Sequence, residues 1–212
     1  MIKLLAAILV VLSGLTLGVA PARAAATLVS TPLSGLGEVR AIFVAAFAGD
    51  TSALRFGSVP GEGPVLFGNT LRTAPGAMAT IGDFSAPQAL SFTLDNLTMR
   101  YGFTTGLADP GDAGRFHAKS SADYADFGVG ALPAAVGLAL AAMPGATRVL
   151  FVGFEDRRSA DGSDYDYNDL IFAFTNTVNP VVAPARISEP AGLALAAGSL
   201  AALALARRRR AA

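Results

Sequence analysis

The chain has 212 residues, 52% of them hydrophobic and 15% charged, with one histidine and no cysteine, which leaves room for one ordinary domain with extra segments and excludes a disulfide framework. Its 16 basic and 16 acidic side chains cancel overall, but residues 25–187 carry 10 basic against 15 acidic, a balance of 10 − 15 = −5 that argues against nucleic acid as a partner.

The hydrophobic excess lies at the two ends. Residues 1–24 begin with one cation, Lys3, continue as an apolar run, and end in small residues with an A-x-A pattern at Ala20 to Ala22 or Ala22 to Ala24. That three-part order predicts a secretory signal peptide cleaved near Ala24, so everything after it is expected to be exported.

Residues 25–180 have the punctuation of one all-β domain. The stretches 38–47, 53–57, 63–69, 89–105, 148–154 and 170–178 are short and rich in β-branched and aromatic residues, and Gly, Pro, Asp and Asn separate them. Such spacing predicts an antiparallel β-sandwich or jelly roll. The Ala-rich stretch 128–146 reads equally as a short helix closing one end or as a buried strand pair.

The strand-like runs 148–154 and 170–178 are expected to pair as a hairpin whose connection is residues 155–168. That connection is long for a hairpin, and long loops usually have a function. Between Glu155 and Asp169 lie six acidic residues and Asn168, with Asp164, Asp166 and Asn168 alternating with Tyr165 and Tyr167. In an extended or gently turning backbone, alternate residues point the same way, so the three oxygen-bearing side chains are expected on one side and the tyrosines on the other. Glu155 and Asp156 are placed to close from the first strand, and Asp169 from the second.

Carboxylates crowded this closely repel one another unless something positive stands between them. A hard divalent cation with oxygen ligands answers that need, and Ca²⁺ tolerates irregular loop geometry better than Mg²⁺. The lack of cysteine and the one distant histidine argue against zinc or copper. The D-x-D-x-N start resembles an EF-hand loop, but Asp169 stands where the turn glycine belongs, Thr175 where the bidentate glutamate belongs, and the flanks are strand-like. The candidate ligands are therefore Glu155, Asp156, Asp164, Asp166, Asn168 and Asp169, in a calcium loop of another type. The other readings are an acidic loop that only keeps an exported protein soluble, a calcium-dependent carbohydrate contact through exposed Tyr165 or Tyr167, and a glycosidase carboxylate pair. No G-x-S-x-G or phosphate-loop motif occurs, His117 reads as structural, and the chain is expected to be non-enzymatic.

The stretch 179–190 has three prolines, and residues 181–187 within it read as an extended linker. Residues 188–212 follow with Ser188, Glu189 and Pro190, then sixteen uncharged residues from 191 to 206, then Arg207, Arg208, Arg209 and Arg210. A helix of that length covers roughly 24 Å, enough for a thin bilayer, and the arginines would stop on the cytoplasmic side.

Two resemblances follow from these motifs. The Glu-Pro motif, apolar stretch and terminal arginines of residues 188–212 resemble a PEP-CTERM sorting signal, with Ser188 in place of the usual first proline. This implies processing by an exosortase, a membrane-held stage before processing, and a place in the envelope or outside of a Gram-negative bacterium that builds exopolysaccharide. The run from Gly153 through Leu170 is similar to the signature of the DUF4114 domain, matching at Gly153, Phe154, Glu155, Asp156, Asp164, Asp166, Tyr167, Asn168, Asp169 and Leu170, and residues 114–120 resemble an upstream element around His117. The resemblance spans 114–176 and implies a calcium-binding surface domain.

Overall fold

The computed structural model describes residues 33–179, apart from Pro144 and Thr147. The signal peptide at 1–24, the linker at 181–187 and the sorting segment at 188–212, with Ser188, Glu189, Pro190 and Arg207 to Arg210, lie outside the described residues.

In chain order the strands are β1 (Leu33–Ala46), β2 (Ser52–Phe56), β3 (Val65–Phe67), β4 (Met78–Leu90), β5 (Phe92–Asn96), β6 (Tyr101–Thr104), β7 (Ala108–Asp109), β8 (Arg115–Phe116) and β9 (Ala118–Ser121). After them come a helix, α1 (Ala134–Ala141), and then β10 (Val149–Phe154), β11 (Leu170–Thr175) and β12 (Thr177–Val178). The class is all-β with antiparallel pairing, as the sequence predicts. One sheet runs β9-β10-β11-β1, with β4 along the far side of β1 and β12 beside the start of β1. A smaller sheet runs β3-β2-β5-β6, and β7 and β8 form a separate ribbon.

The two larger sheets share one core, which makes the arrangement sandwich-like. Alternate residues of β1, β10 and β11 (Phe43, Val152, Phe154, Phe172, Phe174) meet Leu54, Phe92 and Leu94 of the smaller sheet. Phe92 and Phe174 stack at 4.1 Å, and Phe43 meets Phe172 edge-on at 5.7 Å. The intervening residues Ile42, Val44, Phe151, Ile171 and Ala173 face the other way, onto Tyr124, Phe127 and α1. This explains why β11 reads as an unbroken apolar run: both of its faces are buried, so no position needs to be polar.

The open alternative at 128–146 resolves as the helix α1, which Pro133 precedes. The expected strand 89–105 is divided. β4 ends at Leu90, β5 follows, and the chain turns before β6 where Asn96 Oδ1 accepts the N–H groups of Thr98 (2.9 Å) and Met99 (2.8 Å) and Arg100 takes a left-handed conformation. β4 and β9 have no counterpart among the sequence-predicted strands.

A candidate metal centre in the β10–β11 loop

The hairpin forms as expected, with Phe154 paired to Leu170 at its mouth, and residues 155–169 make the connection. The loop folds back over its own strand. At Gly153 any side chain is excluded, because a Cβ there would stand 1.9 Å from the Tyr167 carbonyl oxygen and 2.5 Å from the Phe127 ring. Tyr167 is thereby buried in the second core, its hydroxyl donates to the Phe116 carbonyl at 3.0 Å, and Lys119 Nζ lies 3.9 Å from its ring centre.

The run from Asp164 to Asn168 is not extended. Tyr165 and Tyr167 both take left-handed conformations, at φ 61° and 62°. Turning at alternate residues aims the N–H groups of Tyr165 and Tyr167 inward, in the manner of backbone nests that hold anions. The anion is Glu155, which is fully buried: its Oε2 accepts from Tyr165 N at 3.2 Å and from the Ser163 hydroxyl, and its Oε1 accepts from Tyr167 N. Burial raises the Glu155 pKa against the lowering effect of these bonds. Asp164 and Asp166 point to solvent, and with Glu155 they bring three carboxylate oxygens within 4.8 Å of one another. Asn168 is turned onto Asp166, donating its backbone N–H to Oδ1 at 3.1 Å and its side-chain amide to Oδ2. Burial also raises the Asp166 pKa.

Asp156 and Asp169 form a second grouping. Asp156 N donates to Asp169 Oδ2 at 3.0 Å, and the Asp156 carbonyl accepts Asn96 Nδ2 at 2.7 Å. The Asp156 side chain is buried, and its Oδ2 has no hydrogen-bond partner. It lines a 190 Å³ pocket together with Asp164, Asp169, Ser163, Gly49, Gly162 and the cationic Arg157, whose Nε is 4.0 Å from Asp156 Oδ1. Burial, then the neighbouring carboxylates Asp169 and Asp50, push the Asp156 carboxyl up to about 7. Asp50 itself is held below the usual carboxylate range by Arg157, which forks onto it at 3.0 and 2.9 Å, and Asn96 Nδ2 donates to it at 3.0 Å.

The two groupings share Asp164 but are unlike in what they still need. The oxygens of Glu155 already face the positive ends of N–H and O–H dipoles, so a cation there would meet donors as well as acceptors. The Asp156 pocket has an acceptor that nothing satisfies. Of the six sequence-predicted ligands, the structure therefore brings Asp156, Asp164 and Asp169 to one pocket, sets Glu155 and Asp166 beside it, and turns the Asn168 amide onto Asp166.

Asp50 and Asn96 escaped the sequence reading because they sit in separate turns and carry no motif. The loop is also anchored on its far side. Asp112 accepts the Tyr165 hydroxyl and, at 3.2 Å, Ser159 N. His117 Nε2 stands 3.0 Å from Asp112 Oδ2, although out of hydrogen-bond alignment. The buried His117 ring stacks on Phe103 at 3.7 Å and 9°. Burial acts to raise the Asp112 pKa, but the bonds from Tyr165 and Ser159 and the nearby His117 bring it down to about 2. Burial lowers the His117 pKa. The tyrosines foreseen as exposed glycan contacts are thus committed inside the fold: Tyr167 is buried and the Tyr165 hydroxyl is bonded to Asp112 and Ser159.

No family model matches the chain, and no curated protein or solved structure is similar to it.

Proposed function

We propose that the chain is an exported, non-catalytic surface or matrix protein whose β10–β11 loop binds Ca²⁺ between Asp156, Asp164 and Asp169. The observation that carries this reading is the unpartnered Asp156 Oδ2, buried in a pocket with two further carboxylates. Arg157 Nε lies 4.0 Å from Oδ1 and leaves Oδ2 without a donor, and a buried carboxylate oxygen in that state is costly, so the group takes up either a proton or a further cation. Three carboxylates that line one pocket from different points of a loop offer hard oxygen ligands in an irregular arrangement, which suits Ca²⁺ better than the strict octahedron of Mg²⁺. On this reading Glu155 holds the loop's shape through the nest around it, and Asn168 steadies Asp166.

The ends of the chain supply the rest of the proposal. The leader exports the domain, and residues 188–212 hold it at the inner membrane for an exosortase-type enzyme, delivering it to the envelope or exterior of a Gram-negative cell. Exopolysaccharide as a partner has no support from Tyr165 or Tyr167, given their engagement inside the fold.

Terbium luminescence tests the ion. The chain has tyrosines and no tryptophan, so Tyr165 and Tyr167 are the natural sensitisers of an ion beside them. Sensitised emission that Ca²⁺ displaces, and that Asp156→Asn with Asp169→Asn abolishes, supports the site. Emission unchanged in the double variant removes it.

A further inference from the structure

α1 is apolar on both of its sides. Val136, Leu132, Ala139, Leu140 and Met143 pack onto the large sheet. On the opposite side Ala134, Ala135, Leu138, Ala141 and Ala142 are exposed, and Leu138, at 73%, is the most exposed large hydrophobic side chain among the described residues. Positions 134, 138, 141 and 142 recur at helical spacing, so they form one face. A helix on a globular surface normally turns a polar face outward, yet residues 127–147 contain no charge at all. Met78 extends the patch: it is 47% exposed and pairs with Ile42, whose side chain lies on the α1 side of the sheet.

The C-terminal end of α1 lies beside the last strand from which the chain departs. Ala142 and Met143, just past the end of α1, line a 540 Å³ cavity together with Leu36, Asn176 and the charged Glu38, Arg40 and Asp83. Asn176 N donates to the Arg148 carbonyl at 2.7 Å, and Asn179, the last described residue, accepts the Ser120 hydroxyl at 2.7 Å. Only residues 180–190 separate that point from the uncharged stretch 191–206, a reach of at most about 40 Å at full extension.

We propose that the exposed face of α1 rests on a lipid surface, that of the bilayer entered by residues 191–206. The proposal builds on the membrane reading of that tail. An eight-residue helix is about 12 Å long, too short to cross, and no helix among the described residues is long and apolar enough to do so. α1 itself carries no charge to desolvate, so its exposed apolar face meets the acyl boundary without that cost while its other side stays on the sheet. Its contact area is small, but a tether of this length raises the local concentration of the surface, so a weak contact suffices.

Because the chain has no tryptophan, single substitutions report position cleanly. The full mature chain is reconstituted in neutral phosphatidylcholine vesicles, with and without bromine on the acyl chains, as Leu138→Trp or as Leu107→Trp, a 53% exposed position outside this patch. The expected result is a blue shift at position 138 and quenching of its emission by bromine at the depth of an interfacial helix, with neither effect at 107. Protease protection of 191–206 with no quenching at 138 overturns the proposal while leaving the tail's membrane reading intact. If 191–206 does not insert, that reading fails, and quenching at 138 alone decides whether α1 holds lipid unaided. A blue shift at 138 that needs no lipid and grows with protein concentration assigns the face to a second copy and also overturns the proposal.

Discussion

Asp156 and Asp169 face each other across the mouth of the β10–β11 hairpin, with the Asp156 N–H donating to Asp169 Oδ2 at 3.0 Å. The bond ties the two ends of a fifteen-residue loop, 155–169, and brings the two carboxylates near each other. Such a pair strengthens the hairpin only when a cation or a proton stands between the carboxylates, so the stability of the loop is linked to whatever neutralises them.

Calcium at a hundred times its dissociation constant should stabilise the protein by about 2.7 kcal/mol, raising the melting midpoint by roughly 5–10 °C over excess chelator. Magnesium should give a smaller rise, and Asp156→Asn should lose most of the response. Circular dichroism melts in the three conditions check this, and coincident curves would exclude the ion site.

In chelator the stability should fall as pH rises. The Asp156 carboxyl moves from 3.8 unfolded to about 7 folded, so between those values the folded state holds a proton that the unfolded state has lost. Its contribution is fully present below about 4 and is gone above about 7. His117, lowered by burial, has the opposite slope, so the prediction concerns the difference between the chain and Asp156→Asn. Denaturation midpoints across pH 4 to 8 measure it; Ca²⁺ should flatten the difference, and a slope shared by both proteins would remove Asp156 as its source.

Glu155→Gln should open the loop without unfolding the domain. It replaces one acceptor oxygen with an N–H₂ group facing the donors from Ser163, Tyr165 and Tyr167, at a cost of about 2 kcal/mol, or roughly a thirtyfold gain in local opening. Trypsin cutting after Arg157 or Arg158 reports the opening. In chelator, Asp164→Asn should cut no faster than the parent chain, since it changes an exposed carboxylate and leaves the nest intact.

Gly153→Ala should destabilise the domain by about 3 kcal/mol or more, because its new methyl group meets the Tyr167 carbonyl oxygen at 1.9 Å and neither backbone can yield. Gly162→Ala, in a left-handed conformation at φ 95° but with open space around it, should cost only about 1–2 kcal/mol. Urea unfolding of both variants compares them; equal costs would show that the loop does not lie on β10 as described.

The local sequence was enough to find the hairpin. The run 148–154 became β10, and 170–178 became β11 followed, after the left-handed Asn176, by the short β12; apolar strands buried on both faces carry their signal in every residue. β4 was illegible for the opposite reason. Its residues include Gly82, Ser85 and Pro87, most of it is exposed, and it is a strand because its backbone pairs with β1 from Leu33 to Ile42. β9 likewise owes its form to β10.

The same division runs through the candidate site. Composition and spacing alone marked residues 155–169 as a place where carboxylates gather, because charge crowding is a property of a short stretch. Their division of labour was settled by contacts from elsewhere. The left-handed turns at Tyr165 and Tyr167 replaced the expected extended run and made Glu155 the centre of a nest. Asp50 and Asn96, more than fifty residues away along the chain, close over Asp156. Burial is what distinguishes one carboxylate from the next, and burial exists only once distant segments have packed together; a sequence holds the charges, and the tertiary structure decides which of them water can no longer reach.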